Sequence, residues 1–494
     1  MTRSKKSAAT TAFNVAVVGA GWAGCAAAVE LTLQGHQVVL FESARSLGGR
    51  ARGLRRHASA VNHVDDAVNT SREMAAAARA PGADPWDERL DNGQHILLGA
   101  YRETLRLMRA VGVDIDKSLL RLPLQMRYPA ATGGMDFLSA RLPAPLHLAV
   151  ALLRATGLTA ADKMAVARFS SAARWIDWRL NDDCSVAELL DRFNQTDRVI
   201  LLLWRPLCIA ALNTPPERAS AQIFLNVLRD SLGAGRAASD MLLPRVDLST
   251  LFPDQAARFI AGRGAQVRLA TRVTALRRGA TGWELDTGAT GTSHQPVLPA
   301  FDRIILATPV ADTIRLLATA GDAGDAGDAG DAGDIVDAAA IPSFAYEPIT
   351  TCYLQYAVDL RLPQPFYALL DDPALGNWGQ FVFDRGQLDA SQAGLLAVVI
   401  SASAAAVVLA HDALCAAVCA QLAQVFARPA LRQPLRTRVI SEKRATFSCT
   451  PAFARPATLT GLDGVLLAGD YVDSDYPATI ESAVRSGVSA AASI

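Results

Sequence analysis

"FNVAVVGAGWAGCAAAVELTLQGHQVVLFES", residues 13–43, decides the fold of this chain. An apolar, β-rich run at 14–18 is followed by three glycines in GxGxxG spacing, a helical pattern to about Gln34 and a second apolar run at 37–41. This order of strand, turn, helix and strand is typical of a dinucleotide-binding unit on a parallel sheet. A signal peptide is the alternative for the same stretch, and we reject it because the nucleotide-binding unit explains the pattern better.

The glycines and the terminal acid each have a mechanical reason. Gly19 allows the tight turn, Gly21 lets the backbone approach a pyrophosphate, and Gly24 lets helix and strand pack closely. The helix N-terminus offers free N–H groups to the anion. Glu42 ends the second strand, where an acid accepts hydrogen bonds from ribose hydroxyls. The other predicted nucleotide contacts of this turn are Ala20, Trp22 and Ala23.

Composition limits the class of protein. At 494 residues the chain exceeds the size at which one core keeps growing, so we expect two closely linked domains. The formal net charge is +0, so nothing favours nucleic acid as a partner. The seven cysteines are scattered without a CxxC pair, which favours reduced thiols in the cytoplasm and predicts no metal site.

The apolar runs predict no membrane-spanning helix. None of them reaches about 18 uncharged residues. The nearest approaches, 144–158 and 199–212, suit either a bilayer surface or, more commonly, a buried helix.

A glycine- and arginine-rich turn follows the acid. "SARSLGGRARG", residues 43–53, supplies Gly48, Gly49 and Arg50, and its cations suit phosphate or flavin. This segment resembles the GGR segment of the FAD-binding amine oxidase and phytoene desaturase superfamily. The resemblance implies that FAD is the cofactor.

A second match to that superfamily lies in "GLDGVLLAGDYVDSDYPATIESAVRSG", residues 461–487. A strand there runs into Gly469 and Asp470, an acid suited to the ribityl chain or a phosphate-bound water. Thr479 and Ile480 begin a helix whose N-terminus faces the pyrimidine edge of the flavin. The resemblance also implies that Val273 packs against the adenine.

These matches predict an α/β fold with two interleaved domains. One is an FAD-binding, Rossmann-like domain with a parallel sheet, and the other is a substrate domain of mixed sheet plus helices. We assign 13–53, 241–310 and 459–494 to the FAD-binding domain, and 89–240 and 311–458 to the substrate domain. A hairpin is expected around Trp283, and strands at 302–309 and 465–468.

Four further segments narrow the resemblance. They are "LDNGQHILLGAY" (90–101), "LLWRPLCIAALNTPPERASAQIF" (202–224), "NWGQFVFDRG" (377–386) and "EKRATFSCTPAFARP" (442–456). Together they resemble the hopanoid-associated hydroxysqualene dehydroxylases, also described as squalene-associated FAD-dependent desaturases, from about residue 14 onward. The family implies hydride transfer from reduced flavin to a C30 isoprenoid alcohol, giving squalene. It also suggests peripheral contact with the inner face of the cell membrane and association with other squalene-pathway enzymes.

Two segments depart from the family pattern. Residues 54–88 are longer than expected and predict a flexible inserted loop. Residues 321–334 repeat Gly-Asp-Ala, with one acid every third position and no side chain large enough to pack, so we expect a solvated loop. Calcium binding is the alternative, but the spacing of known β-roll repeats is absent.

The implied chemistry requires an acid, because hydroxide leaves poorly unless it is protonated. The candidates are Asp91, His95, Tyr128, Asp473 and Asp475. In the superfamily the block matching 91–95 approaches the flavin ring, with Gly93 and Gln94 at the cofactor. His95 titrates nearest neutrality and is the first choice, with Asp91 beside it. A histidine that is only hydrogen-bonded beside the flavin is the alternative.

The lipid itself needs an apolar tunnel. The stretches 142–158 and 196–212, with Trp204, Phe224 and Phe381, suit such walls, although each aromatic residue suits an ordinary core as well.

Three other functions stay open at this stage. A carotenoid-type (phytoene) desaturase uses the same cofactor in the oxidative direction. An amine oxidase usually holds a lysine near the flavin, and the lysines beyond the N-terminal tail (Lys117, Lys163, Lys443) lie in no block that matches that role. A flavin-binding polyprenyl carrier without catalysis is the last alternative.

Overall fold

The computed structural model describes residues 12–54, 90–289, 298–321 and 341–494. The strands in these ranges are β1 Asn14–Val18, β2 Gln37–Phe41, β3 Leu97–Leu98, β4 Leu119–Leu122, β5 Gln125–Arg127, β6 Asp136–Leu138, β7 Met241–Pro244, β8 Gln266–Arg268, β9 Thr271–Gly279, β10 Gly282–Ala289, β11 Arg303–Leu306, β12 Tyr346–Gln355, β13 Phe366–Ala368, β14 Phe381–Asp384, β15 Leu395–Ile400, β16 Arg436–Phe447 and β17 Val465–Leu467.

The helices in the same ranges are α1 Trp22–Leu33, α2 Arg102–Ala110, α3 Ile115–Ser118, α4 Leu146–Arg154, α5 Ala160–Trp175, α6 Val186–Arg192, α7 Asp197–Val199, α8 Arg205–Leu212, α9 Ala221–Ser231, α10 Arg236–Ser239, α11 Leu248–Leu251, α12 Pro253–Ala261, α13 Val310–Gly321, α14 Ala404–Val407, α15 His411–Val425 and α16 Ile480–Ala492. A π-helical turn, Ile200–Trp204, joins α7 to α8.

The first sheet is parallel, with strand order β17-β11-β1-β2-β8. Its strands come from three separated parts of the chain. In β1 and β2 every residue after the first is buried, as expected for a parallel sheet covered on both faces. The predicted α/β class with a parallel sheet is confirmed, whereas the exact domain boundaries stay a prediction.

Two helices pack tightly on one face of this sheet. The α1 segment is rich in alanine and glycine, so the C-terminal helix α16 approaches its backbone closely. A Cβ atom added to Gly487 of α16 would lie 2.1 Å from the carbonyl oxygen of Ala23. This close contact ties the last helix of the chain to the glycine-rich turn of the first strand.

The second large sheet has the order β13-β14-β15-β12-β16. Each of its described pairings is antiparallel, so the expectation of a mixed sheet is corrected. The connection from β14 to β15 is confined to 385–394, and a parallel pairing would need a crossover of about a dozen residues or more. The hairpin expected around Trp283 is confirmed as β9–β10.

The two faces of the antiparallel sheet serve different cores. Cys352 of β12 packs with Cys415 and Cys419 of α15, which share a buried helix face as their spacing predicted. Tyr353 points to the other face and joins the large core that also holds Trp204. All seven cysteines are free and buried.

The apolar stretch 196–212 is helical but not one regular helix. Pro206 lies in the first turn of α8 and lacks an N–H, so the helix before it widens into the π turn. The Tyr128 hydroxyl donates a 2.9 Å hydrogen bond to the carbonyl of Leu202 within that turn.

Within the described parts of the chain, no helix combines the length and the apolar character needed to cross a bilayer. The predicted inserted loop at 54–88 lies outside the described residues except for Leu54, and the Gly-Asp-Ala repeat lies outside them except for Gly321.

Candidate functional site

The glycine-rich turn has the geometry that its spacing predicts. Gly19 has a φ of +102°, and a Cβ there would lie 2.5 Å from the carbonyl oxygen of Ala307. A Cβ on Gly24 would lie 1.8 Å from the Gly19 carbonyl oxygen. Gly19 therefore excludes a side chain through backbone strain and crowding, and Gly24 excludes one because helix and strand approach closely.

Gly21 faces open space instead. The nearest atom to a Cβ at this position is the Cα of Gly49, at 3.9 Å. Gly48 forms a parallel bridge with Gly21, and its N–H donates to the carbonyl of Ala20 at 2.9 Å. The two glycine segments thus meet backbone to backbone and leave a cradle at the N-terminus of α1, which fits a pyrophosphate.

Glu42 holds the turn from the end of β2. Its Oε2 accepts a 2.8 Å hydrogen bond from the N–H of Ala20, and its Oε1 accepts one of 2.8 Å from Ala44. The side chain is half-buried. Oε1 also accepts from the Ser43 hydroxyl at 3.3 Å, whereas Oε2 retains a lone pair that can accept from a ribose.

Trp22 and Ala23 present only their backbone to this cradle. The indole N–H of Trp22 donates to the Ala51 carbonyl at 2.9 Å, and its ring lies 5.2 Å from that of Phe252. Ala23 is buried beneath α16. Any contact of these two residues with a phosphate would therefore run through their N–H groups.

The GGR segment and the C-terminal Gly-Asp pair meet directly. Arg50 Nη2 lies 2.5 Å from Asp470 Oδ1, and Arg50 Nη1 donates to the Ala445 carbonyl at 2.9 Å. Gly469 donates its N–H to Ser486 of α16 at 2.7 Å. Segments more than 400 residues apart thus form one side of the predicted flavin site.

Helix α16 begins where the sequence predicts, and its N-terminus is capped. The Thr479 side chain accepts from the N–H of Ser482, and the Ser482 side chain accepts from Thr479. Ile480 packs at the edge of the core that contains α1. Val273 is buried in the core that also contains Phe41 of β2.

The polar residues 91–95, the polar block, lie against the GGR segment. Leu54 donates to the Leu90 carbonyl at 2.8 Å, and Asn92 donates to the Arg52 carbonyl at 2.9 Å. Gly53 and Asp91 form an antiparallel bridge between them. The block predicted to approach the flavin therefore adjoins the segment predicted to bind it.

Asp91 connects three parts of the fold. Its Oδ1 accepts from the N–H of Leu248 at 2.9 Å, and its carbonyl accepts from the Tyr353 hydroxyl at 3.0 Å. Its Oδ2 lies 3.9 Å from Arg385 Nη2, and both side chains are 2% exposed. The carboxylate is thus held from two sides, by Leu248 at the start of α11 and by Arg385 directly after β14 of the antiparallel sheet.

Arg385 is a site residue to which the sequence reasoning assigned no role. Its Nη1 donates to Gln94 Oε1 at 2.7 Å, and its Nε donates to Gln392 Oε1 at 2.7 Å. A guanidinium cannot accept hydrogen bonds, so it fixes which end of the Gln94 amide faces it. The sequence signal that could have identified Arg385 is its position in "NWGQFVFDRG", one of the four segments that resemble the dehydroxylase family.

His95 is half-buried at the end of the polar block. Its Nδ1 lies 2.9 Å from the Gly93 carbonyl, which can only accept, so Nδ1 carries the proton and Nε2 is the free nitrogen. Burial lowers the pKa of His95 below its ordinary value of 6.5, and the Gly93 hydrogen bond offsets part of this effect. A Cβ added to Gly93 would contact only His95, so there is room in front of this glycine.

The other candidate acids are placed differently. Tyr128 is buried, its hydroxyl donates to Leu202, and burial raises its pKa. Asp473 and Asp475 are exposed.

The predicted tunnel aromatics are all buried. Trp204 lies 4.7 Å from Phe169 between ring centroids, and Phe381 stacks on Phe366 at 5.7 Å. Phe224 is fully buried.

A shallow pocket with room for about one water molecule lies between α8 and the antiparallel sheet. Phe381 lines it together with an ion pair between Arg205 and Asp371, whose atoms lie 2.5 and 2.9 Å apart.

The assignment of cofactor-binding and catalytic residues stays a prediction.

Comparison with known proteins gives three findings. The sequence model of the flavin containing amine oxidoreductases matches residues 22–494. Hydroxysqualene dehydroxylases of Sinorhizobium fredii and Rhodopseudomonas palustris are each 26% identical to the chain, over 97% of this chain and 97% of the relative. The zeta-carotene desaturase of Zea mays is 31% identical, over 30% of this chain and 21% of its own length.

Among solved structures, cyclohexylamine oxidase from Brevibacterium oxydans matches with a TM-score of 0.60 and 16% sequence identity. The match covers 98% of both chains. At this identity the likeness shows the fold alone.

Proposed function

Since the chain belongs to the flavin containing amine oxidoreductase family and is an FAD-dependent oxidoreductase, we propose that it reductively dehydroxylates hydroxysqualene to squalene. The observation that supports this proposal is the extent of the similarity. The hydroxysqualene dehydroxylase of Sinorhizobium fredii aligns over 97% of both chains, and the zeta-carotene desaturase of Zea mays over 30% and 21%. A substrate domain and a cofactor domain are both needed for one reaction, so similarity across both is the stronger guide.

The proposed reaction breaks the allylic C–O bond of the substrate and forms a C–H bond at the same carbon. One proton leaves with the hydroxyl group as water, and the carbon gains a hydride. Reduced FAD supplies that hydride. The protein must therefore bind the alcohol beside the cofactor, provide the proton and keep water away from the developing allylic cation.

His95 is our candidate for the proton donor. In its neutral form, Nε2 can accept a hydrogen bond from the substrate hydroxyl but has no proton to give. It donates only after it has itself been protonated, and its lowered pKa makes the imidazolium a stronger acid. We therefore expect the active form of the enzyme to be favoured at low pH.

Asp91 and Arg385 position the polar block in this proposal. Asp91 is the second residue predicted to be catalytic, and its hydrogen bond from Leu248 and its approach to Arg385 suit the role of holding His95 and Gln94 in place. Arg385 fixes the Gln94 amide from the side of the antiparallel sheet. Neither role requires these two groups to exchange a proton.

The aromatic residues around Trp204 suit the shielding of a hydrocarbon cation, because aromatic faces attract positive charge. A cytoplasmic location, peripheral contact with the cell membrane and association with other squalene-pathway enzymes belong to the same proposal.

Anaerobic incubation of the photoreduced holoenzyme with hydroxysqualene tests the function. We expect the visible flavin absorbance to recover in step with the amount of squalene formed. The His411→Ala variant, which changes an exposed histidine on α15, serves as a matched control for His95→Ala. Reduction of the oxidised enzyme by squalene or phytoene would indicate a desaturase, and no spectral response to any of these lipids would indicate a carrier.

A further inference from the structure

Helix α4 exposes two of its four leucines, Leu146 and Leu153, and buries its only histidine. Leu146 is 55% exposed and Leu153 is 72% exposed, and the spacing of seven places them on one helix face. The opposite face consists of His147, Ala151 and Ala155, which are 0%, 1% and 4% exposed. Leu148 and Leu152 pack against the core, so the helix is covered on that side and bare at Leu146 and Leu153.

The buried histidine makes this orientation costly. Neither ring nitrogen of His147 has a hydrogen-bond partner among the described residues. Burying an unpaired polar group opposes folding. Rotating the helix would put Leu146 and Leu153 inside and the His147 imidazole in water, and the fold does not do this.

The charges around the leucines are of one sign. Residues 137–161 contain no Asp or Glu, whereas Arg141 and Arg154 lie near the two ends of the helix. The flanking acids are already engaged. Asp136 is paired with Arg127 at 2.9 Å, and Asp162 is buried as the cap of α5. This stretch of the chain is therefore apolar at its centre and positive near its ends.

We propose that this surface, formed by Leu142, Leu146 and Leu153 with Arg141 and Arg154, docks onto an anionic lipid bilayer. The leucines would enter the headgroup boundary, and the arginines would contact lipid phosphates. We call it the docking face. A second copy of the chain is a poorer occupant, because a two-fold contact would bring the arginines of both copies together.

Neighbouring elements connect the docking face to the pocket beside α8. Helix α4 contacts β6, which pairs with β5, and Tyr128 follows β5. Tyr128 contacts the π turn beside the pocket lined by Arg205 and Asp371. The purpose of docking rests on the proposed function, since a C30 alcohol dissolves in a bilayer and not in water, but docking itself is independent of the reaction.

Vesicle flotation of the full-length holoenzyme tests the proposal. The vesicles are phosphatidylcholine with and without phosphatidylglycerol, and no substrate is present. We expect the protein to float with the anionic vesicles, and added salt to release it. Leu146→Glu and Leu153→Glu should each lower the partition constant between vesicle and water on the order of tenfold or more. Each change removes an apolar side chain from the interface and adds a negative charge that the anionic lipid repels.

Leu435→Glu is the matched control, since Leu435 is 71% exposed and Leu153 is 72% exposed. The control should bind vesicles like the wild type. Bound flavin and melting temperature should be unchanged in all three variants, and flotation is measured without substrate, so a failure of docking is distinguishable from a failure of the proposed reaction. The proposal is overturned if the wild type does not float, if Leu435→Glu weakens binding equally, or if Leu153→Glu instead converts a dimer to a monomer in light scattering.

Discussion

Replacing Arg385 by methionine should destabilise the protein far more than removing an exposed arginine. The substitution removes two charge-assisted hydrogen bonds of 2.7 Å, to Gln94 and to Gln392. It also leaves the carboxylate of Asp91, now 3.9 Å from the guanidinium, buried without that positive charge. Methionine has a similar length and flexibility, so the lost polar contacts dominate over any cavity.

The magnitude follows from these contacts. Removing one partner of a buried ion pair costs about 3–5 kcal/mol, a range that already includes the hydrogen bonds lost with that partner, so we expect a loss of about 4 kcal/mol in the free energy of unfolding. The unfolding entropy of a chain of 494 residues is roughly 1 kcal/mol/K, which converts this loss to a fall of about 4 °C in melting temperature.

Differential scanning fluorimetry on FAD-loaded protein measures this shift. Arg272→Met is the control, because Arg272 pairs with Asp312 at 2.9 Å and their side chains are 59% and 35% exposed. Such a pair contributes about 0–1 kcal/mol, so the control should melt within about 1 °C of the wild type. An Arg385→Met protein that melts like the control would refute the reasoning, since the network would then contribute no net stability.

Four further predictions follow from the geometry. His95→Ala should keep bound flavin and lose most dehydroxylation, because the change removes the candidate proton donor. The wild-type kcat should be highest at low pH and fall as pH rises through a pKa below 6.5, since the imidazolium is the donating form. Gly487→Ala should lower both stability and flavin content by forcing α16 away from Ala23, at a cost of about 1–3 kcal/mol. Burial lowers the folded-state pKa of His36, His95 and His147, so the melting temperature should fall as pH drops below about 6.5.

Each prediction has a control or a contrary outcome. Near-normal turnover of His95→Ala would remove His95 from the mechanism. A kcat that rises with pH would identify a base as the essential group. Gly235→Ala controls for Gly487→Ala, because a Cβ on Gly235 meets nothing within 4 Å. A melting temperature that stays constant or rises between about pH 6.5 and 5 would contradict the burial of neutral histidines.

The N-terminal unit was predictable because its signals are local. The glycine spacing, the two apolar runs and Glu42 all act within one βαβ unit, and the structure has the strand, helix and strand where the sequence predicts them. The cap at Thr479 is local in the same sense, since it depends on Ser482 in the first turn of the helix.

The polar network was not predictable because its contacts are distant in sequence. Arg385 meets Gln94 across 291 residues, and nothing near Arg385 indicates burial of a charge. The strand directions in the second sheet also depend on pairing between distant segments. The exposure of Leu146 and Leu153 on α4 was not predicted, for another reason. An apolar pattern shows that a helix is amphipathic but does not show which face the fold covers.

The Arg50–Asp470 ion pair has a consequence for the order of synthesis. These partners are 420 residues apart, so the strand and helix that accompany Asp470, Val465–Leu467 and Ile480–Ala492, are translated long after Arg50. The first strands and their glycine cradle therefore leave the ribosome long before the other half of the flavin site exists. We therefore predict that loading of FAD waits until translation has passed these elements, and that ribosome-bound chains arrested before residue 465 do not retain the cofactor.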